Sequence, residues 1–220
     1  MTAFQIKILA LATMIADHIG LFFFPDVLWL RMVGRLSFPL FAWLIANGAH
    51  HTHDMKAYSL RLLLFAIIAQ IPFIAANQLL VPTFFELNVL FTLLFGLVAI
   101  IIIKQSKNPA VWVFSTTLTA SLAQLLHTDY GAFGVVMVVL FYIFFRRFNY
   151  LFGAQYVLFL IMFIFFRTNL IGFIEPLGFL SLLFISLYNN KPGIKAKYLF
   201  YVVYPLQYVV YYLVLKVISQ

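Results

Sequence analysis

Apolar runs of about 17 to 25 residues follow one another along this chain with little between them, and each is long enough to cross a bilayer as a helix. They fall near 5–24, 32–49, 57–76, 87–103, 110–126, 130–145, 150–166, 170–188 and 197–216. A segment inside lipid must satisfy its own backbone polar groups. The pattern therefore predicts an all-α, polytopic transmembrane helix bundle of about nine spans, within a range of about 8–10. Composition agrees: 65% of residues are hydrophobic and only 9% charged, against about a quarter charged in water-soluble domains. The 27 Phe and 12 Tyr suit lipid-facing helices with aromatic belts at the interfaces. With no Cys, a disulfide framework, a thiolate metal site and a cysteine nucleophile are all excluded. Connections are short, no internal repeat is visible, and residues 1–220 read as a single domain. The first run lacks a small-residue cleavage site and reads as a retained signal anchor.

A net charge of +8 would suit nucleic acid, but its distribution points elsewhere. Lys7, Lys56, Arg61, Lys104, Lys107, Arg146, Arg147, Lys191, Lys195 and Lys197 fall on one side of the expected spans. Arg31, Arg35, Arg167 and Lys216 fall on the other. The positive-inside rule then predicts a cytoplasmic N-terminus and, with an odd number of spans, an external C-terminus. The basic excess is first a topology signal and implies no nucleic-acid partner.

Ionisable residues within spans are expensive and face a bundle interior or a water-filled cavity. In this topology they gather toward the outer face: Asp17 and His18 in the first run, Arg31 and Arg35 opening the second, and Glu86, Asn88 and Thr92 at the start of the fourth. His127 and Asp129 lie in an outer link, Arg167 ends a run and Glu175 lies just inside the next. The expectation is an outward-facing polar cavity above a hydrophobic floor. Arg31 and Arg35 share a helical face and repel unless carboxylates or an anionic ligand answer them. The segment HHTHD, His50 to Asp54, has histidine spacing that a metal would accept, but no second cluster completes a site, so no metal is expected.

Lys7 and His18 stand eleven residues apart. Their directions on a helix differ by about 20° and the rise between them is roughly 16 Å. One face thus carries a cation at one membrane surface and an imidazole well toward the other. Asp17 lies about 100° round the helix from its neighbour His18 and is turned toward another helix, with Arg31 or Arg35 as its partner.

Read in order, Lys7 with ADHIG, LRMVGRLSFPLFAWLIANGAHHT (Leu30 to Thr52), AYSLRLLLFAIIAQIPF (Ala57 to Phe73) and LNVLFTLLFGL (Leu87 to Leu97) resemble the TraX family. Weaker echoes follow in DYGAFGVV (Asp129 to Val136) and KYLFYVVYPLQYVVYYL (Lys197 to Leu213). TraX proteins take their name from N-terminal acetylation of conjugative pilin and are similar to the acyltransferase-3 superfamily of integral membrane acyltransferases. That superfamily has a basic residue, ten intervening residues and a His in its first helix, matched here by Lys7 and His18. Its paired arginines are matched by Arg31 and Arg35, at a spacing of four rather than three. Gln207 stands where relatives often carry a His in Tyr-Pro-x-His, and the chain has about one span fewer than the superfamily core.

The resemblance implies acyl transfer from cytoplasmic acetyl-CoA, or another acyl-CoA, to an acceptor across a bacterial cytoplasmic membrane. The acceptor is a peptide or pilin N-terminus, a lipoprotein, a lipid or a glycan. His18 is the expected general base or transient acyl carrier, with Asp17 and Arg35 completing the catalytic group. Lys7, Arg31, Lys56, Arg61, Arg146 and Arg147 are expected to hold the cofactor's phosphates. Glu86, Asn88, Thr92, Asp129 and Tyr204 are expected to meet the substrate or its oxyanion. Two other classes fit the same polar residues: a proton-coupled transporter, for which no matching halves are visible, and a non-catalytic assembly partner of a pilus or secretion complex.

Overall fold

The computed structural model describes residues 1–168, 170–194, 196 and 198–218; Lys195 and Lys197, two of the expected topology determinants, lie outside the described residues. The described residues hold helices and no strand, in the order α1 (Ala3–Phe22), α2 (Leu28–Gly34), α3 (Ser37–His51), α4 (Met55–Gln78), α5 (Val89–Gln105), α6 (Pro109–Leu125), α7 (Gly131–Ile143), α8 (Phe148–Phe166), α9 (Leu170–Ile174), a 3-10 helix (Glu175–Leu180), α10 (Ser181–Ser186) and α11 (Leu199–Ile218). The apolar runs of the sequence fall largely on helix, and among the described residues five stretches are long and apolar enough to cross a membrane: Ala3–Phe22, Leu28–His51, Met55–Gln78, Phe148–Phe166 and Leu199–Ile218. Val89–Gln105, Gly131–Ile143 and Gly172–Ser186 are apolar but shorter.

Four prolines within the apolar runs, Pro39, Pro72, Pro176 and Pro205, act in different ways. Pro39 sits in the first turn of α3, where its missing N–H has no partner to lose. Pro72 and Pro205 lie inside helices that run on past them. Only Pro176 stands at a true break, where the run near 170–188 becomes α9, a 3-10 helix and α10. The second run also breaks, with a turn at Arg35 and Leu36 separating α2 from α3.

The chain forms two compact units, Met1–His50 with Leu140–Ala196, and His51–Val139 with Lys197–Gln220. In the first, α1 begins with a capping box: the Thr2 side chain accepts from Gln5 N and the Gln5 side chain accepts from Thr2 N. The next two N–H groups are satisfied by a distant loop, Ala3 N donating to Lys191 O at 2.9 Å and Phe4 N to Pro192 O at 3.0 Å. Trp43 stacks on Phe145 and meets Tyr188 edge-on, while His50 stacks on Tyr142 and Phe145. The N-terminus, residues 187–192, His50 and residues 142–145 thus belong to one end of this unit.

The second unit packs α4 against α5 and α11, and α5 against α6. A Cβ on Gly96 would meet Val138 Cβ at 2.7 Å, so glycine there permits close packing of α5 on α7. Leu87 and Thr128 pair in an isolated parallel bridge, which ties the chain before α5 to the link between α6 and α7. Along the buried face of α11 run Tyr201, Tyr204, Tyr208 and Tyr211 at helical spacing.

Candidate functional site

In the first unit the polar residues of α1, α2 and the 3-10 helix converge. Arg31 Nη1 donates to Asp17 Oδ1 at 2.9 Å and to the Asp17 carbonyl at 3.0 Å. Arg35 Nη2 donates to the same Oδ1 at 2.6 Å, its Nη1 pairs with Glu175 Oε1, and its Nε donates to Arg31 O at 3.2 Å. These side chains are 5 to 14% exposed. The i, i+4 spacing of the arginines and the direction of Asp17 produce this geometry, as helical periodicity predicts. Two carboxylates answer two guanidinia, so the network is formally neutral and can stay buried.

Glycines make the approach possible. A Cβ on Gly34 would overlap the Asp17 side chain, and one on Gly20 would meet Leu30 Cβ at 2.9 Å. A Cβ on Gly178 would meet the Arg35 carbonyl at 2.9 Å, so the 3-10 helix that presents Glu175 also sits tight on this turn. Glu175 is the member that sequence reasoning left out of the site. The available signal was charge balance, since two arginines on one face require more than the single carboxylate of Asp17.

His18 follows Asp17 on α1 and is half-buried. The clamp on Asp17 therefore fixes the rotation of α1 and, with it, the direction of the imidazole. Lys7 is half-buried near the other end of the helix. Arg146 and Arg147, exposed at the link between α7 and α8, belong to the same unit. Lys56, exposed, and Arg61, half-buried with its guanidinium 6.0 Å from the Tyr58 ring, belong to the second unit.

The expected substrate residues Glu86, Asn88, Thr92, Asp129 and Tyr204 also lie in the second unit. Glu86 is exposed. Asn88 is fully buried and already engaged: its Nδ2 donates to Ala66 O at 2.8 Å and to Gln70 Oε1 at 2.7 Å, and its Oδ1 caps α5 by accepting from Leu90 N at 3.0 Å. Thr92 Oγ1 lies 2.9 Å from Thr128 Oγ1 and also hydrogen-bonds the Asp129 carbonyl. Tyr204 is buried. Among the described residues no group of three or more His, Asp or Glu is placed to hold a metal ion.

The chain is similar to known proteins over nearly its whole length. The family model described as TraX protein matches residues 3–215. A probable fimbrial assembly protein FimC, serogroup H1, of Dichelobacter nodosus is 32% identical over 226 residues, covering 93% of this chain and 91% of that one. Protein TraX of Escherichia coli is 32% identical over 145 residues, 64% of this chain and 55% of the relative. An uncharacterized protein RP591 of Rickettsia prowazekii (strain Madrid E) is 28% identical over 91 residues, 41% of this chain and 33% of its own length. No solved structure matches. The chain is a membrane protein of apolar helices, and it belongs to the TraX protein family.

Proposed function

We propose that the chain is an acyltransferase of a bacterial cytoplasmic membrane, taking an acetyl or other acyl group from cytoplasmic acyl-CoA to an extracytoplasmic amine. The N-terminus of an exported or membrane-tethered peptide, such as a pilin or lipoprotein, is the favoured acceptor. The observation that carries the reading is the construction of α1, with Lys7 and His18 on one face and Asp17 clamped by Arg31 and Arg35 on another. Membership of the TraX family supports it, as does a relative described as a probable fimbrial assembly protein. In this scheme Lys7, Arg146 and Arg147, all of the first unit, meet the phosphates of acyl-CoA, which arginine forks bind well. The amine attacks the thioester carbonyl, a C–N bond forms and the C–S bond breaks. His18 takes the proton from the amine and returns it to the departing CoA thiolate. Arg35, Arg31 and Glu175 hold α1 so that the imidazole keeps its direction.

The test uses purified chain in detergent with labelled acetyl-CoA and an amine-bearing peptide. His18→Ala should abolish label transfer, and Lys7→Ala should raise the KM for acetyl-CoA more than it lowers kcat. Undiminished transfer by His18→Ala removes the catalytic assignment. The description of the Dichelobacter relative favours one second reading, a non-catalytic assembly factor. On that reading His18→Ala restores fimbriation in a deletion strain as fully as the parent chain.

A further inference from the structure

Arg61 stands nearly two turns into α4, half-buried, with its guanidinium 6.0 Å from the Tyr58 ring. Its Nε is buried with no hydrogen-bond partner, and none of the ion pairs among the described residues includes it. A cation inside a span is costly unless an anion or water answers it, and a ring at this distance is at the limit of cation–π attraction. The position calls for an anion, and no carboxylate of the described residues supplies one.

The remaining charges of the second unit point the same way. Gln78 Nε2 donates to Phe84 O at 3.1 Å, Gln70 Nε2 to Glu86 O at 2.7 Å and Asn88 Nδ2 to Ala66 O at 2.8 Å, so the chain entering α5 runs back along α4. Phe65 stacks on Tyr201 at 4.9 Å and Phe73 meets Tyr208 edge-on at 5.2 Å, so α11 runs parallel to α4. The start of α4, the start of α11 and the end of α5 therefore share one end of the unit. Among the described residues that end has Lys56, Arg61, Lys104 and Lys107 against the Asp54 carboxylate, with His51 and His53 beside it. Asp54 is itself engaged, since its Oδ1 caps α4 by accepting from Ala57 N at 2.8 Å. Glu86, His127 and Asp129 cluster at the opposite end, before α5, and Lys216 lies in the last turn of α11. The cationic end favours a ligand of net negative charge.

The surface that continues from Arg61 indicates which anion. Arg61, Leu64, Ile68 and Ile71 fall at i, i+3, i+7 and i+10, on one face of α4. Leu64, Ile68 and Ile71 are all exposed, Ile71 at 78%. From Arg61 to Ile71 the helix rises about 15 Å, half the hydrocarbon thickness of a bilayer. A phosphate held by the guanidinium fork would thus have beside it an apolar stripe as long as one leaflet. Basic clusters at the end of membrane helices distinguish anionic from neutral headgroups by charge.

We propose that this end of α4 binds an anionic phospholipid, with the phosphate on Arg61 and an acyl chain along Leu64, Ile68 and Ile71. The site is independent of the acyl-transfer reading. The experiment measures, by native mass spectrometry of the full chain in detergent, the retention of dioleoyl-phosphatidylglycerol and of dioleoyl-phosphatidylcholine, which share acyl chains and differ in headgroup charge. The parent should retain the anionic lipid about tenfold better. Arg61→Gln should reduce that preference about fivefold, whereas Arg167→Gln, which removes a cation of the other unit, should leave it intact. Neither inorganic phosphate nor CoA should displace the lipid. Equal retention of the two lipids by the parent overturns the proposal, as does an undiminished preference in a folded Arg61→Gln chain. An equal fall in Arg167→Gln would show a response to overall charge and overturns it too. Displacement by phosphate or CoA assigns these cations to a soluble phosphate and overturns the lipid site. If Arg61→Gln fails to fold, the exposed pair Lys56→Gln and Lys107→Gln decides, and an undiminished preference there overturns the proposal.

Discussion

The Asp17 carboxylate lies 2.6 Å from the Arg35 guanidinium, beside a Gly34 whose place no larger residue can take. Among the ion pairs of the described residues, Arg35 meets two carboxylates, Asp17 and Glu175, and Arg31 meets Asp17. Removing one partner of a buried pair leaves an uncompensated charge and costs about 3–5 kcal/mol. Arg35→Ala should therefore lower unfolding stability in detergent by about that amount, and Arg31→Ala by clearly less. Thermal unfolding of the two variants checks the order. If Arg31→Ala proves the more damaging, Arg35 is not the centre of the network.

Gly34→Ala should behave as a wedge between α1 and α2. The new methyl group overlaps Asp17, and a helix pair packed this closely can yield only by moving apart, at a cost of about 1–3 kcal/mol. Gly153 on α8 gives the matched control, because a Cβ there meets nothing within 4 Å. Gly153→Ala should leave stability unchanged or raise it by up to about 1 kcal/mol through helix propensity. Comparable losses in the two variants would mean that glycine at position 34 reports general helix flexibility and not contact with Asp17.

Much of this site is legible in the sequence because it depends on helical periodicity. Arg31 with Arg35, and Asp17 turned away from the His18 face, follow from 100° per residue and need no tertiary information. Glu175 is different. It reaches Arg35 across 140 positions of chain, and the 3-10 segment that carries it arises where Pro176 denies the helix a continuous hydrogen-bond ladder. The span count is less legible for a related reason. Hydropathy registers an apolar run wherever it lies, whereas helix length depends on where turns fall: among the described residues Val89–Gln105, Gly131–Ile143 and Gly172–Ser186 are shorter than the five long stretches. Nor does composition separate the expected cavity residues into two compact units, because that division depends on which helices pack together.

Asp17 and His18 are neighbours in sequence but should separate cleanly in experiment. Asp17→Asn weakens a charge pair with both arginines, so stability and activity should fall together. His18→Ala leaves the Asp17 and Glu175 ion pairs in place, so activity should fall by a larger share than stability does. Paired measurements of melting and acetyl transfer check this. A His18→Ala chain that melts as early as Asp17→Asn would make the histidine a structural residue.

Asn88 was expected to donate to an oxyanion, and the structure gives it a full complement of protein partners instead. Its amide nitrogen serves Ala66 O and Gln70 Oε1, its carbonyl caps α5, and its backbone N also donates to Gln70 Oε1 at 3.0 Å. Gln70 in turn donates to Glu86 O at 2.7 Å, so the pair ties α4 to the start of α5. Asn88→Ala should cost about 1–3 kcal/mol in stability, from a lost cap and buried acceptors left unpaired. Gln70→Ala removes the other half of the same connection. The double variant should therefore lose less than the sum of the single losses, by about 0.5–3 kcal/mol, as expected for residues in one hydrogen-bonded network. A thermodynamic cycle from chemical unfolding in detergent measures that difference. Strict additivity would show that the two side chains act separately, and an Asn88→Ala chain of parental stability with reduced kcat would return Asn88 to the oxyanion role.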